Sequence, residues 1–328
     1  MTPPKLIGLG ALALFGCIGF MALVKGKKQA ELAKEDPIVE EIVLPKTEVK
    51  PKEVIVSKPV EDSAEKQEAA LQKAKVDKVS RFFALDSSKL PIVETVSYSS
   101  RVPWLKDRPA WVADYASYFA TSRHFIARSL NRKADYLSQK ISHGDRFNVF
   151  RKDKQVEFYL VIDLSAALMD FYYYDVSEDK RVFLKRYPVG LGRKDETRTS
   201  GYLTPTGKYK LGDRIAIYKP GTLGYFQDQK IEMMQIFGTR WIPFSEEVEN
   251  CSESYKGYGL HGAPWKAGEK NELIEDREPI GKYDSDGCIR LFQEDMEELF
   301  SIIITKPTYV EIVANFNEAK LPGKEVEE

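Results

Sequence analysis

The sequence predicts a mainly β protein, a sandwich or barrel of short strands finished by one helix, and three observations carry that reading. Tyr and Phe each occur 17 times against six Met, and aromatic side chains favour half-buried pleated surfaces. From Val156 onward, short apolar runs recur with Gly and Pro between them, the punctuation of strands. Two of those runs flank Asp163-Leu164-Ser165-Ala166, a turn-forming connection that reads as a hairpin. At 328 residues and 43% hydrophobic content, the chain has room for one large domain or two small ones.

Taken in order, residues 1–24 contain the apolar, uncharged run Leu6–Val24. At 1.5 Å per residue it extends roughly 28 Å, enough for a bilayer core. Lys25, Lys27 and Lys28 follow at once and no Ala-x-Ala-like site precedes them. An uncleaved inner-membrane anchor is therefore expected through residues 6–24. These lysines outnumber Lys5, and the positive-inside tendency would keep them cytoplasmic; expectation of an exported body rests on the chemistry further along. Residues 25–85 read as a linker. Prolines such as Pro45 and Pro51 keep the stretch to about residue 60 extended, and the Ala-, Glu-, Gln- and Lys-rich stretch from Glu61 to Leu85 suits a charged helix.

Residues 86–150 form an aromatic-rich, helical accessory region. Pro109-Ala110-Trp111 opens a predicted helix carrying Trp111, Tyr115, Tyr118, Phe119, Ser122 and Phe125 at helical spacing. That stripe is read as packing, His124 within it as structural, and His143 before Gly144 as a turn residue. Residues 151–316 supply the β body. Val156–Asp163 and Ala167–Tyr174 are the hairpin strands, with further strands at Val182–Val189, Gly207–Leu211, Met233–Phe237 and Tyr309–Ala314. One amphipathic helix fits Gln293–Ile303, where Met296, Leu299, Phe300 and Ile303 share a face. Residues 317–328 are expected to be a disordered tail.

The 49 basic and 50 acidic residues leave a formal net charge of -1. That balance lacks the basic footprint of a nucleic-acid-binding protein. Three cysteines (Cys17, Cys251, Cys288) are too few for a disulfide framework. The three histidines (His124, His143, His261) make no zinc-type spacing with them, so no metal site is expected.

The chemistry is concentrated in Tyr283-Asp284-Ser285-Asp286-Gly287-Cys288-Ile289-Arg290-Leu291. A thiol after glycine permits close substrate approach, and N–H groups around such a turn can receive the oxyanion of acyl transfer. Arg290 adds a permanent charge that can hold a substrate carboxylate and favour a thiolate. A nucleophilic thiol needs a base. After His143 the only histidine is His261, in Tyr258-Gly259-Leu260-His261-Gly262. Cys251 is read as a free, unrelated thiol.

His261-Gly262 followed by Ser285-x-Gly287-Cys288-Ile289-Arg290 resembles the signature of the L,D-transpeptidase (YkuD-like) catalytic domain family. Pro188-Val189-Gly190-Leu191-Gly192, Thr204-Pro205-Thr206-Gly207, Gly238-Thr239-Arg240-Trp241-Ile242 and Pro279-Ile280-Gly281 fit the same family, and the resemblance covers residues 155–315. It implies a β-sandwich catalytic domain, no cofactor, and peptidoglycan stem peptides as partners. It makes Cys288 the nucleophile, His261 the base and the Gly262 carbonyl its orienting group. Gly287 and Cys288 N–H groups would form the oxyanion hole. Arg290, Ser285, Tyr258 and Trp241 become candidate substrate contacts, with Ser285 alternatively a hydrogen-bonding brace of the motif loop, Arg290 a partner of a buried carboxylate, and Tyr258 and Trp241 core residues. The family's acceptor is a second stem (a 3→3 cross-link) or a cell-wall lipoprotein lysine; water as acceptor would make a carboxypeptidase.

Two features depart from the family pattern. Asp286 stands where the family most often has His, and the 23 residues between His261 and Ser285 are somewhat longer than typical, with Pro264–Pro279 charged, as expected of a lid or rim. Two other function classes compete. A wall-binding protein that lost turnover would not need a paired thiol and imidazole. A papain-like peptidase would place its cysteine before its histidine, the reverse of the order here.

Overall fold

The computed structural model describes residues 75–131, 140–269 and 272–327. The anchor expected at 6–24 and the linker to residue 74 lie outside the described residues. Among the described residues, no helix is long and apolar enough to cross a membrane.

Where the charged helix was expected to run on to Leu85, Asp77 instead bridges to Lys185 and Val79–Phe82 forms a short 3-10 turn. The reason is apolar: Val79 and Phe82 are fully buried in the main core. Two strands follow, β1 (Val93–Ser97) and β2 (Arg146–Phe150), paired antiparallel. Between them come helices α1 (Val112–Tyr118) and α2 (Arg123–Asn131). The aromatic stripe is thus carried by two helices rather than one, broken after Phe119 where Ala120 takes φ 44°. Ser122 restarts the helix by accepting the Phe125 N–H at 2.9 Å, a side-chain N-cap. Its hydroxyl also donates to the Ser301 carbonyl, which fastens α2 to the C-terminal β body. Tyr115 and Phe125 are buried, while Trp111 stays 69% exposed. His124 lies edge-on to Phe300, their ring centroids 5.3 Å apart.

The hairpin is β3 (Val156–Asp163) with β4 (Leu168–Asp175). Its turn is closed by the Asp163 carboxylate, which accepts from the Ser165 and Ala166 N–H groups at 2.8 and 3.0 Å. β5 (Lys180–Pro188) continues the meander. Alternation explains why these strands are apolar throughout. Phe158, Leu160, Phe171 and Tyr173 face the main core, while Tyr159, Val161, Tyr172 and Phe183 face a second cluster on the other side.

The chain then runs through β6 (Leu191–Gly192), β7 (Gly207–Leu211) and β8 (Ala216–Ile217), a hairpin of β9 (Leu223–Phe226) and β10 (Gln229–Glu232), and helix α3 (Met234–Phe237). Next come β11 (Arg240–Glu249), β12 (Gly259–Gly262), the β13 (Trp265–Ala267) and β14 (Leu273–Glu275) hairpin, β15 (Tyr283–Ser285) and β16 (Ile289–Leu291). Helix α4 (Gln293–Ile303), β17 (Thr308–Val313) and β18 (Lys324–Glu325) complete it. Met233–Phe237, expected as a strand, is helical because Gly238 at φ 61° ends a single turn there. An apolar run of that length has no period that separates the two states.

The strands expected to make a sandwich or barrel form one ten-stranded sheet, in the order β16-β12-β11-β7-β17-β3-β4-β5-β18 with β8 beside β11. Leu260, Ile289 and Leu291 from one end share a core cluster with Phe158, Leu184 and Tyr187 from the other, so the sheet curls over a single core. Helix α4 contributes Met296, Leu299 and Phe300 to that core, all fully buried. The tail is ordered to residue 327. β18 pairs with β5, and Arg181 donates to the Pro322 and Gly323 carbonyls at 2.6 and 3.1 Å. An open β5 edge offers unpaired backbone groups, and the tail satisfies them.

Candidate active site

Register brings the segments carrying the thiol and the imidazole side by side. β12 lies between β11 and β16, with His261 opposite Trp241 on one side and Arg290 on the other. Cys288 immediately precedes β16, in which Arg290 pairs with His261. The thiol and the imidazole share surroundings. Phe237 and Trp241 pack on the His261 ring at 5.3 and 5.9 Å, and the same two residues cluster with Cys288. Cys288 is 4% exposed and His261 3%.

Protons can be placed from the hydrogen bonds. His261 Nδ1 is 2.7 Å from the Gly262 carbonyl oxygen. A carbonyl only accepts, so the Nδ1 proton is held there and Nε2 keeps its lone pair. The Cys288 thiol donates to the Gly257 carbonyl at 3.6 Å. Burial pushes the thiol up to about 12, although Arg290 opposes the shift. Burial and then Arg290 push His261 down to about 3, against the Gly262 hydrogen bond. At neutral pH the resting pair is therefore thiol and neutral imidazole.

The loop before Cys288 is held tightly. Ser285 is buried; its Oγ donates to the Cys288 carbonyl at 2.7 Å and accepts the Gly287 N–H at 3.1 Å. Ser285 thus braces the loop, and the Gly287 N–H, expected in the oxyanion hole, donates to it. Gly287 adopts φ +118°, and a Cβ there would lie 2.5 Å from Tyr258 Cε1 and 2.7 Å from the Leu203 carbonyl oxygen. Only glycine fits. Tyr258 and Trp241, candidate substrate contacts, are core residues at 5% and 4% exposure. Arg290 donates to Asp284 at 2.7 Å, and its buried Nε has no hydrogen-bond partner among the described residues. Cys251 and Cys288 are both free thiols. Asp286 turns outward into an ion pair with Arg193.

Sequence reasoning passed over several residues here. Arg193 anchors Asp286, and its N–H donates to the Ser285 carbonyl at 3.0 Å. Thr204 is fully buried between Gly192 and Gly287. Phe237 was assigned to a strand. The stretch Pro264–Pro279 contains the β13–β14 hairpin. It is tied to α4 by Arg277–Glu294 at 2.7 Å and by the Gln293 N–H on Glu275 at 2.6 Å. The β9–β10 hairpin sends Phe226 inward to the Cys288 cluster and leaves Leu223 and Tyr225 more than half exposed. Among the described residues, no group of three or more His, Cys, Asp or Glu is placed to hold a metal ion.

Residues 157–312 match the family model of the L,D-transpeptidase catalytic domain, YkuD. This segment is a YkuD domain. Its boundaries enclose His261, Cys288 and, to within a residue at either end, every strand of the curled sheet except β18. Solved structures similar to this chain include Bd1075 of Bdellovibrio bacteriovorus, at 16% identity and TM-score 0.34, with 50% of each chain covered. Another is the helical cell shape determining protein Pgp2 of Campylobacter jejuni, at 16% identity and TM-score 0.32, covering 52% of this chain and 51% of that one. The chain thus spans about half the length of these structures. A comparison with curated proteins finds no match. What the YkuD domain offers chemically is a neutral thiol and a tautomerically fixed imidazole with shared aromatic neighbours, at a glycine-cysteine turn.

Proposed function

We propose that this chain is a peptidoglycan L,D-transpeptidase acting through a cysteinyl thioester. The observation that carries the reading is that Cys288, one residue before β16, and His261 on the adjacent β12 share Phe237 and Trp241 as neighbours within the YkuD segment, with His261 Nε2 left as the free base. A tetrapeptide stem would bring its scissile amide to Cys288. The Sγ–H proton passes to His261 Nε2 as sulfur attacks the carbonyl carbon, so charge develops only as the S–C bond forms. The C–N bond then breaks, the proton passes from His261 to the departing D-Ala nitrogen, and an acyl thioester remains on sulfur. An acceptor amine loses a proton to His261, forms the new amide and frees the thiol. With Gly287 N–H engaged by Ser285, the Cys288 N–H is the donor for the oxyanion. The body is proposed to lie in the periplasm behind a membrane anchor at 6–24; a periplasm-dependent reporter fused after residue 328 should be active.

Incubation of the protein with disaccharide-tetrapeptide, followed by intact-protein and product mass measurement, tests the reaction. An acyl adduct and released D-Ala are expected, both absent in Cys288→Ala. Folded wild-type protein that gives neither sinks the proposal. Product masses assign the acceptor as an amine or as water.

A further inference from the structure

Gly287 and Cys288 share one peptide plane, and the plane's carbonyl is gripped by a residue 83 positions earlier in the chain. The buried Thr204 Oγ1 accepts the Gly192 N–H at 2.7 Å and donates to the Gly287 carbonyl at 3.0 Å. A hydroxyl has one proton, so with Gly192 donating to it, its proton is committed to Gly287. The peptide group is planar and trans, which sets the Cys288 N–H opposite the Gly287 C=O. Fixing that carbonyl therefore fixes the direction of the N–H. Ser285 holds the neighbouring groups, Gly287 N–H and Cys288 C=O, but neither belongs to this plane. Glycine backbone is intrinsically soft, and Thr204 is the side chain that holds this plane's own carbonyl.

We infer that Thr204 is a positioning residue that aims the Cys288 N–H at the oxyanion formed during acyl transfer. The inference rests on the acyl-transfer reading above. As Sγ bonds to the carbonyl carbon, the π electron pair moves onto oxygen and the aimed N–H stabilises it; when the C–N bond breaks, the pair returns. Alkylation of the same sulfur by iodoacetamide displaces iodide at a saturated carbon and makes no oxyanion. The two reactions thus separate aiming from packing.

The test uses the full chain with Cys17→Ser and Cys251→Ser, so that Cys288 is the only thiol, comparing Thr204→Val and Thr204→Ser. Acylation by disaccharide-tetrapeptide and alkylation by iodoacetamide are both followed by intact mass. In Thr204→Val, acylation should fall on the order of 10²-fold, the scale of a lost oxyanion donor, while alkylation is unchanged. Thr204→Ser keeps the hydroxyl and should restore acylation. Wild-type acylation by Thr204→Val overturns the inference, as does a parallel loss of both reactions or failure of Thr204→Ser to rescue. Melting curves check folding, and Thr204→Ala replaces the valine variant if that one does not fold. A parent chain that does not acylate at all refutes the acyl-transfer reading, and this inference with it, an outcome distinct from a selective null in the variants.

Discussion

The pH dependence of Cys288 alkylation distinguishes a neutral resting pair from a preformed thiolate–imidazolium pair. Burial holds the thiol at about 12 against an ordinary 9.0, and holds His261 at about 3 against 6.5. The signs agree: each shift favours the uncharged form, as expected of two groups 4% and 3% exposed. A thiol near 12 is about one part in 10⁵ thiolate at pH 7, roughly a thousandfold less than an ordinary thiol. In the Cys17→Ser, Cys251→Ser background, the iodoacetamide rate should therefore be slow at pH 7. It should climb about tenfold per pH unit through pH 10 with no plateau. Arg290 is the main force opposing the rise. Arg290→Gln should make the thiol slower still at every pH on that limb. A rate that is flat between pH 5 and 9 would reveal a thiolate stabilised by imidazolium and would refute the neutral-pair description. It would also remove the need for His261 to act as base at the moment of attack.

Other consequences follow from the same geometry. Gly287→Ala meets Tyr258 and the Leu203 carbonyl below 3 Å at φ +118°, so thioester formation should be lost and stability should drop by about 2 kcal/mol or more in urea unfolding. Since the folded-state pKa of His261 lies below its unfolded value, its stabilising effect is complete above 6.5 and is lost as pH falls towards 3. The acid limb of stability should steepen by about 1.4 kcal/mol per pH unit in that window and flatten in His261→Gln. Lys185, 19% exposed, contacts Asp295 at 3.1 Å and Glu298 at 2.9 Å. Lys185→Met strands two carboxylates together and should cost about 2–4 kcal/mol by thermal or urea melts. Removing residues 320–328 uncovers the β5 edge and unpairs Arg181; the truncated chain should melt lower and self-associate more in light scattering.

What the sequence disclosed depended on how local the determinant was. The β3–β4 hairpin and helix α4 were readable because a turn carboxylate and a helical apolar face are each contained within a dozen residues. His261 and Cys288 were singled out as a pairing of residue types and Gly262 by the family resemblance; the structure adds the Nδ1–Gly262 hydrogen bond and the shared Phe237 and Trp241 neighbours. The single helix expected from Trp111 to Phe125 was wrong because Ala120 at positive φ has no compositional mark, and Ser122 read as a stripe residue is in fact a cap. The tail looked polar and unstructured, but it is held by a strand 140 residues earlier. Thr204 was noticed only as part of a turn, since the hydrogen bond that gives it a role spans 83 positions.

Asp286 shows how an unfavourable residue type can be harmless in place. An acid beside a thiol raises its pKa, and Asp286 stands where the family most often has His. The carboxylate, however, is 43% exposed and paired with Arg193, whose backbone N–H also holds the Ser285 carbonyl. Of the influences on Cys288, burial is the largest and Asp286 the least. The thiol's raised pKa therefore comes from its burial, with Phe237, Trp241 and Met233 in the cluster around Cys288, the first two also packing on the imidazole. Replacing Asp286 with the family's usual histidine would relieve a minor influence and break an exposed ion pair worth about 0–1 kcal/mol. The thiol would remain buried and protonated. What must change for attack is solvation and contact at Sγ, and a substrate carbonyl that reaches it alters both at once. A buried neutral thiol should therefore react slowly with solvent-borne electrophiles at neutral pH, with or without Asp286.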